Sequence, residues 1–182
     1  MKLEYQKIDF THIDFAKITA LNLDLFPQNE LVAPINLSNN IYANDENLSI
    51  FSFYNDKEFV GYAAIYSYEN ISYLAFLAVC AKYQGRGFGG LILEILKSNF
   101  SQIVLEIESL DPKAADYLQR VKRSKFYNNH GFKDSGYKIS YCKMTYSIYS
   151  NFELDSKQFI DMFNLFKSKN YFDFNQNLGK WI

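Results

Sequence analysis

Two cysteines, two histidines and three prolines in 182 residues leave several chemistries without material. Cys80 and Cys142 stand far apart, with no ligand-type neighbour at metal spacing. No metal site or disulfide framework is therefore expected, and the plain reading is two reduced thiols in a cytoplasmic protein. An excess of one charge is missing too: 19 Lys and Arg against 20 Asp and Glu leave a net charge of -1. That argues against a nucleic-acid partner bound across the whole surface. No apolar run reaches the ~20 residues of a membrane span. The longest, from Tyr73 to Ala81, is about half of that, and the opening MKLEYQKIDF lacks the apolar stretch of a signal peptide. The expectation is a soluble chain with no membrane or nucleic-acid partner, monomer or homodimer, and one domain over residues 1–182.

Aromatic residues are abundant, with 17 Phe and 15 Tyr, so both core and clefts are expected to be lined with rings. Leu3 to Ile8 reads as a strand. Thr11 is placed to cap a helix from His12 to about Phe26, and a short helix is expected over Pro34 to Tyr42. Three strands follow, Leu48 to Tyr54, Glu58 to Tyr66 and Ile71 to Ala81, joined by short polar turns of hairpin length. Gly89 to Phe100 has helical periodicity, with Leu91, Ile92, Ile95 and Leu96 on one face, and Gln102 to Glu108 is again a strand. Asp111-Pro112 reads as a helix start, the helix running to Asn129 and ending at Gly131. Tyr137 to Tyr149 alternates as one long strand. Ser156 to Lys169 is amphipathic, and residues 150–182 are expected to form a helical extension that packs back on the domain. A single parallel strand–helix–strand unit is visible, from Ile71 to Glu108.

Four of the eight glycines crowd into that unit's first turn, in YQGRGFGG from Tyr83 to Gly90. A strand, a glycine-rich turn and a helix N-terminus make an anion site. The first helical N–H groups lack partners, the helix dipole favours negative charge, and glycine removes the Cβ atoms that would hold a phosphate off. Gly85, Gly87 and Gly90 satisfy G-x-G-x-x-G, and Glu106 lies about twenty residues on, where a ribose-binding acid would stand. Two features oppose a dinucleotide loop. Lys82, Tyr83 and Gln84 separate the strand from the first glycine, and a hairpin meander precedes it, so a doubly wound sheet cannot be completed. A P-loop is excluded by Leu91-Ile92 where Lys-Ser/Thr would be required.

The segment from Val79 to Gly89 resembles the acyl-CoA loop of the GNAT superfamily of N-acetyltransferases, Arg/Gln-x-x-Gly-x-Gly/Ala, matched by Gln84, Gly87 and Gly89. Phe59-Val60-Gly61-Tyr62-Ala63 resembles that family's third strand, and Phe126 to Phe132 its Phe-Tyr-x-x-x-Gly-Phe segment. Phe26-Pro27 through Glu30 is similar to a start seen in one bacterial branch. Together these cover about residues 1–149. The resemblance implies an α/β (α+β) fold: a mixed, mostly antiparallel sheet of six or seven strands flanked by helices, with one parallel βαβ unit carrying the loop. It further implies acetyl-CoA as co-substrate and no metal. The pantetheine arm would lie on the backbone of Leu77, Ala78 and Val79, and the pyrophosphate on Gln84, Gly85, Arg86, Gly87, Phe88, Gly89 and Gly90. Two departures are visible: Ala81 stands where the family often has Pro, and Arg120 and Arg123 where it often has Asn and Ala.

By the same resemblance Tyr127 donates a proton to the leaving thiolate, since a phenol with an ordinary pKa of about 10 keeps its proton at neutral pH. Glu106 and Glu108 share one face of their strand with Val104, while Ile103, Leu105 and Ile107 take the other. Arg120, Arg123 and Tyr127 share one face of the following helix, so the acidic strand face is expected to lie near the basic helix face. Glu106 is then either the base that accepts the amine proton or part of a Glu–Arg network that only positions Tyr127. Glu108, Arg120 and Arg123 are candidates for substrate contact. The basic run RVKRSK, Arg120 to Lys125, reads as a solvated helix face. His130 reads as a helix-end cap, and Cys80 as a small buried residue.

The acceptor is a small-molecule or peptide amine whose identity the sequence leaves open. Two other readings stay open beside the N-acetyltransferase: an acyl-CoA-binding module without transfer activity, and a dinucleotide binder.

Overall fold

A computed structural model describes residues 2–25, 46–141 and 144–168. In chain order the elements are β1 (Glu4–Ile8), α1 (Asp14–Leu25), β2 (Leu48–Asn55), β3 (Glu58–Tyr68), β4 (Ile71–Val79), α2 (Phe88–Asn99), β5 (Gln102–Glu108), α3 (Tyr117–Asn129), β6 (Lys133–Tyr141), β7 (Met144–Ser150) and α4 (Ser156–Ser168). The strands form one seven-stranded sheet in the order β1-β2-β3-β4-β5-β7-β6. All neighbours are antiparallel except β4 and β5. This is the mixed sheet with a single parallel pair that the resemblance implied.

The antiparallel half follows from local chemistry. Asp56 and Lys57 turn β2 into β3 with positive φ at both residues, the tight hairpin geometry whose twist suits the flanking strands. The strands alternate side chains to opposite faces, and each face builds its own core. On one, Ile50, Tyr62, Tyr66, Tyr73, Val104 and Ile148 meet Ile18 and Leu21 of α1 and Phe159, Met162 and Phe163 of α4. On the other, Phe53, Ile65, Ile103, Leu105 and Ile107 meet Ile92, Leu93 and Leu96 of α2. The apolar set Ile103, Leu105, Ile107 thus faces α2, and Val104 faces away from it.

Four sequence expectations move. Helix α1 begins at Asp14 rather than His12, because Thr11 bonds back to Asp9 through both its N–H and its hydroxyl, and the ring of His12 accepts the Asp14 N–H. Helix α3 begins at Tyr117: the Asp111 carboxylate captures the Lys113 N–H in a local turn, and the helix proper starts where the Asp116 carbonyl takes the Gln119 and Arg120 N–H groups. Helix α2 begins at Phe88, off Gly87 in a left-handed conformation, and buries Leu93 in place of Leu91. The long strand expected from Tyr137 is a hairpin, β6 and β7, paired from Tyr141↔Met144 outward. Between Tyr141 and Met144 the sequence offers no Gly, Asn or Pro, so alternation ran through unbroken. The helix expected over Pro34 to Tyr42, the stretch from Phe26 to Glu30, and Cys142 lie outside the described residues.

Candidate active site

The only parallel ladder among the described strands is three residues long: Ile71↔Gln102, Ser72↔Ile103 and Tyr73↔Val104. There β4 bulges. Ile65 of β3 faces Leu74 and Ala64 faces Phe76, so Ala75 is the extra residue. A bulge bends its strand and sharpens its twist, and beyond this one β4 follows β3 alone, while β5 continues with β7 from Val104↔Ser150 to Glu108↔Tyr146. The sheet therefore opens between the second half of β4 and the end of β5. Leu77, Ala78 and Val79 form the edge of that opening. Gly61 lets β3 stay close behind them, since a Cβ there would collide with the Ala78 carbonyl oxygen.

The glycine loop sits at the mouth. A short 3-10 turn, Ala81–Tyr83, follows β4, and the Gln84 side chain donates back to the Val79 carbonyl at 2.9 Å. Gly85 and Gly87 have φ of 71° and 86°, with open space where a Cβ would stand, so their freedom is conformational. From Gly85 to Gly90 no backbone N–H takes a carbonyl among the described residues; the ladder resumes with Leu91 N–H on the Gly87 carbonyl. Six successive free donors at a helix N-terminus fit a pyrophosphate. Arg86 is exposed at its edge. Gly89 and Gly90 have a further reason: a Cβ on Gly89 would stand 3.2 Å from the Phe126 ring, and one on Gly90 would collide with His130.

Those contacts bring α3 to the mouth. At one end Arg123 pairs with Glu108 at the tip of β5; at the other, Phe126 and His130 lie on the first turn of α2. Tyr127 lies on the same helical face, between Arg123 at the β5 tip and His130 on the first turn of α2. Its half-buried ring packs edge-on to Phe126 and Phe132, with centroids 5.1 and 5.9 Å away. Its hydroxyl has no hydrogen-bond partner among the described residues. Burial pushes it up to about 12, against a smaller opposing pull from Arg123. Gly131, at φ 87°, ends α3 in a Schellman turn, with Phe132 N–H on the Tyr127 carbonyl and Gly131 N–H on that of Asn128.

The two acidic residues of β5 part ways. Glu108 pairs with Arg123, whereas the carboxylate of Glu106 accepts the hydroxyl of Tyr73. Arg120 turns to Asp116 at 2.8 Å and to the Ser109 carbonyl at 3.0 Å. Among the described residues the expected meeting of acidic strand face and basic helix face is seen in the Arg123–Glu108 ion pair, while Glu106 takes the Tyr73 hydroxyl. Cys80 is half-buried, and burial pushes its thiol up, against a smaller pull from Lys82; that suits an inert thiol rather than a nucleophile. His130 caps by contact: its Nδ1 lies 2.7 Å from the Phe126 carbonyl.

Three contributions were not anticipated from the sequence. Glu58 bonds the Tyr83 hydroxyl at 2.6 Å and Lys82 at 2.7 Å, and Tyr83 packs edge-on to Phe88, clamping the loop from both sides. Hairpin register held the signal for this clamp, since continuing Gly61↔Val79 outward sets Glu58 opposite Lys82. The Tyr73–Glu106 bond depends on where the parallel ladder stops, and the His130–Gly90 contact on helix packing. Neither leaves a local mark.

Residues 46–134 match the family model described as Acetyltransferase (GNAT) domain. No curated protein matches the chain by sequence. Among solved structures, a GNAT-family protein from Bacteroides thetaiotaomicron superposes with a TM-score of 0.71 at 19% identity, covering 92% of this chain and 98% of its own. The aminoglycoside 6'-N-acetyltransferase from Enterococcus faecium gives 0.62 at 12% identity, over 84% and 98%. The PaiA N-acetyltransferase from Thermoplasma acidophilum, solved with coenzyme A, gives 0.55 at 13% identity, over 81% and 98%. At such identities the likeness is one of fold, and the likeness in sequence is the domain match over residues 46–134. Residues 46–134, just under half of the chain, match a GNAT acetyltransferase domain, and the described chain has the GNAT fold.

Proposed function

We propose that this protein transfers the acetyl group of acetyl-CoA to a primary amine of a small molecule or peptide by direct attack. The observation that carries the reading is the opening between β4 and β5, with six backbone N–H groups at its mouth that take no carbonyl among the described residues, and with Tyr127 on the helix that joins the β5 tip to the first turn of α2. Leu77, Ala78 and Val79 offer a strand edge to the pantetheine amides, and residues 84–90 a cradle to the pyrophosphate. The amine nitrogen attacks the thioester carbonyl, and the carbon–sulfur bond breaks as the amide forms. The amine proton passes to Glu106, directly or through water, and the departing sulfur takes a proton from Tyr127, which solvent restores. The high pKa of Tyr127 does not oppose this, because the desolvation that disfavours phenolate equally disfavours thiolate in the same site. Arg123 and Glu108 hold α3 against β5, and Arg120 braces its first turn.

A thermal-shift panel with acetyl-CoA, CoA, NADP and ATP tests the ligand class. At a hundredfold excess over Kd, binding adds about 2.7 kcal/mol, which for a chain of this size raises Tm by roughly 5–10 °C. Stabilisation by CoA species alone supports the reading, and none by either CoA species sinks it. CoA release is then followed with spermidine, kanamycin and an N-terminal alanine peptide. Tight acetyl-CoA binding without release for any amine would leave an acyl-CoA-binding module instead.

A further inference from the structure

We propose that Tyr73 is a positioning residue that holds the carboxylate of Glu106, ionised and aimed, at the apex of the opening between β4 and β5. The inference rests on the reading of Glu106 as proton acceptor. Tyr73 is the last residue of β4 paired with β5, opposite Val104. Glu106 lies two residues past Val104 on the same strand face, so the Tyr73–Glu106 bond joins the strands one step beyond the end of their backbone ladder. The tyrosine is fixed on several sides. It is buried, lies opposite Tyr66 on β3, and takes the edge of Phe163 from α4 at 5.6 Å.

The chemistry requires such a donor. Glu106 accepts from Tyr73 on β4, which itself lies within electrostatic reach of Tyr66 on β3 and Tyr146 on β7, and α4 brings Phe159, Met162 and Phe163 to this face. Its charged neighbour along β5, Glu108, is engaged by Arg123 of α3. Among aromatic rings a carboxylate is driven towards its neutral form, which accepts no proton, and a hydrogen bond to the charged form opposes this. A buried phenol suits that role. Burial, and then the charge of Glu106, raise Tyr73 well above its ordinary 10, so it stays a donor throughout the working range.

The test reads Glu106 itself and needs no acceptor. Full-length protein labelled with ¹³Cδ-glutamate is titrated by NMR, with Glu106→Gln to assign the resonance. In Tyr73→Phe the Glu106 midpoint is expected to rise by about one pH unit, with the Kd for acetyl-CoA changed less than threefold. A midpoint that stays in place in a folded variant overturns the proposal, since a merely structural tyrosine would lower Tm and leave the titration alone. Should Tyr73→Phe fail to fold, 3,5-difluorotyrosine at position 73 keeps the ring and strengthens the donor, and the midpoint must then fall; if it does not fall, the proposal is wrong. Failure of the transferase reading shows separately, as no CoA release with any amine while the midpoint still responds to position 73.

Discussion

The hydroxyl of Tyr127, pushed up to about 12 by burial, stays protonated wherever an acceptor amine is neutral enough to attack. The sign of that shift makes a pH statement. The acid form is present below the raised pKa, so Tyr127 contributes no loss of rate on the alkaline side until roughly pH 11. Tyr127→Phe should lower kcat roughly 100-fold and leave the KM for acetyl-CoA within about threefold; full turnover in that variant would remove Tyr127 from the mechanism. Asp14 is the second residue whose titration matters. It is buried, and burial pushes its carboxyl up, but hydrogen bonds from Lys17 and Tyr54 and the charge of Lys17 outweigh this and hold it below 3.8. Its stabilisation is therefore complete above the unfolded value and is lost as pH falls through the lower folded one. Asp14→Asn should cost roughly 2 kcal/mol at pH 7 and flatten the acid limb of the stability curve below about pH 4, measured by urea titration at several pH values.

Between elements, the contact of α3 on the first turn of α2 has two consequences: it places Tyr127, and it makes glycine obligatory at position 90. Gly90→Ala sets a methyl group against the ring of His130, which cannot swing freely because its Nδ1 is engaged by the Phe126 carbonyl. The gain in helix propensity, about 0.5–1 kcal/mol, is smaller than the overpacking cost of roughly 1–3 kcal/mol, so the variant should be less stable. Adding His130→Ala should restore most of the loss, the coupling of a double-mutant cycle. If the two changes are simply additive, the packing account of Gly90 is wrong. Sequence pattern assigns Gly90 only to the phosphate, because local pattern records that a Cβ is absent and not what occupies its space. The same limit applies at β5: alternation placed Glu106 and Glu108 on one face, but the bulge at Ala75 and the end of the parallel ladder separate their partners.

Across the whole molecule, one sheet carries two cores, and α4 closes one of them. Phe159, Met162 and Phe163 are buried there, and Phe163 backs Tyr73. Burying three such side chains contributes roughly 5–9 kcal/mol, as much as the entire stability of a typical domain. A chain ending at Asp155 should therefore be insoluble or unfolded by circular dichroism, and Phe163→Ala alone should cost roughly 3–5 kcal/mol. A truncated chain that melts cooperatively near the wild-type Tm would show that α4 is an appendage.

The amino-acid sequence by itself determined the order of the described strands and helices up to Gly131, the tight β2–β3 turn, the strand–loop–helix unit at residues 71–108 and the helix end at Gly131. Each is written in residues near one another in the chain, through side-chain alternation, turn chemistry and glycine's freedom at positive φ. Tertiary structure alone decided where β4 leaves β5, which of Glu106 and Glu108 meets an arginine, what fills the space beside Gly90, and that Tyr73 lies against Glu106. Those outcomes depend on register, a one-residue bulge and the seating of one helix on another, all set by contacts between residues distant in the chain.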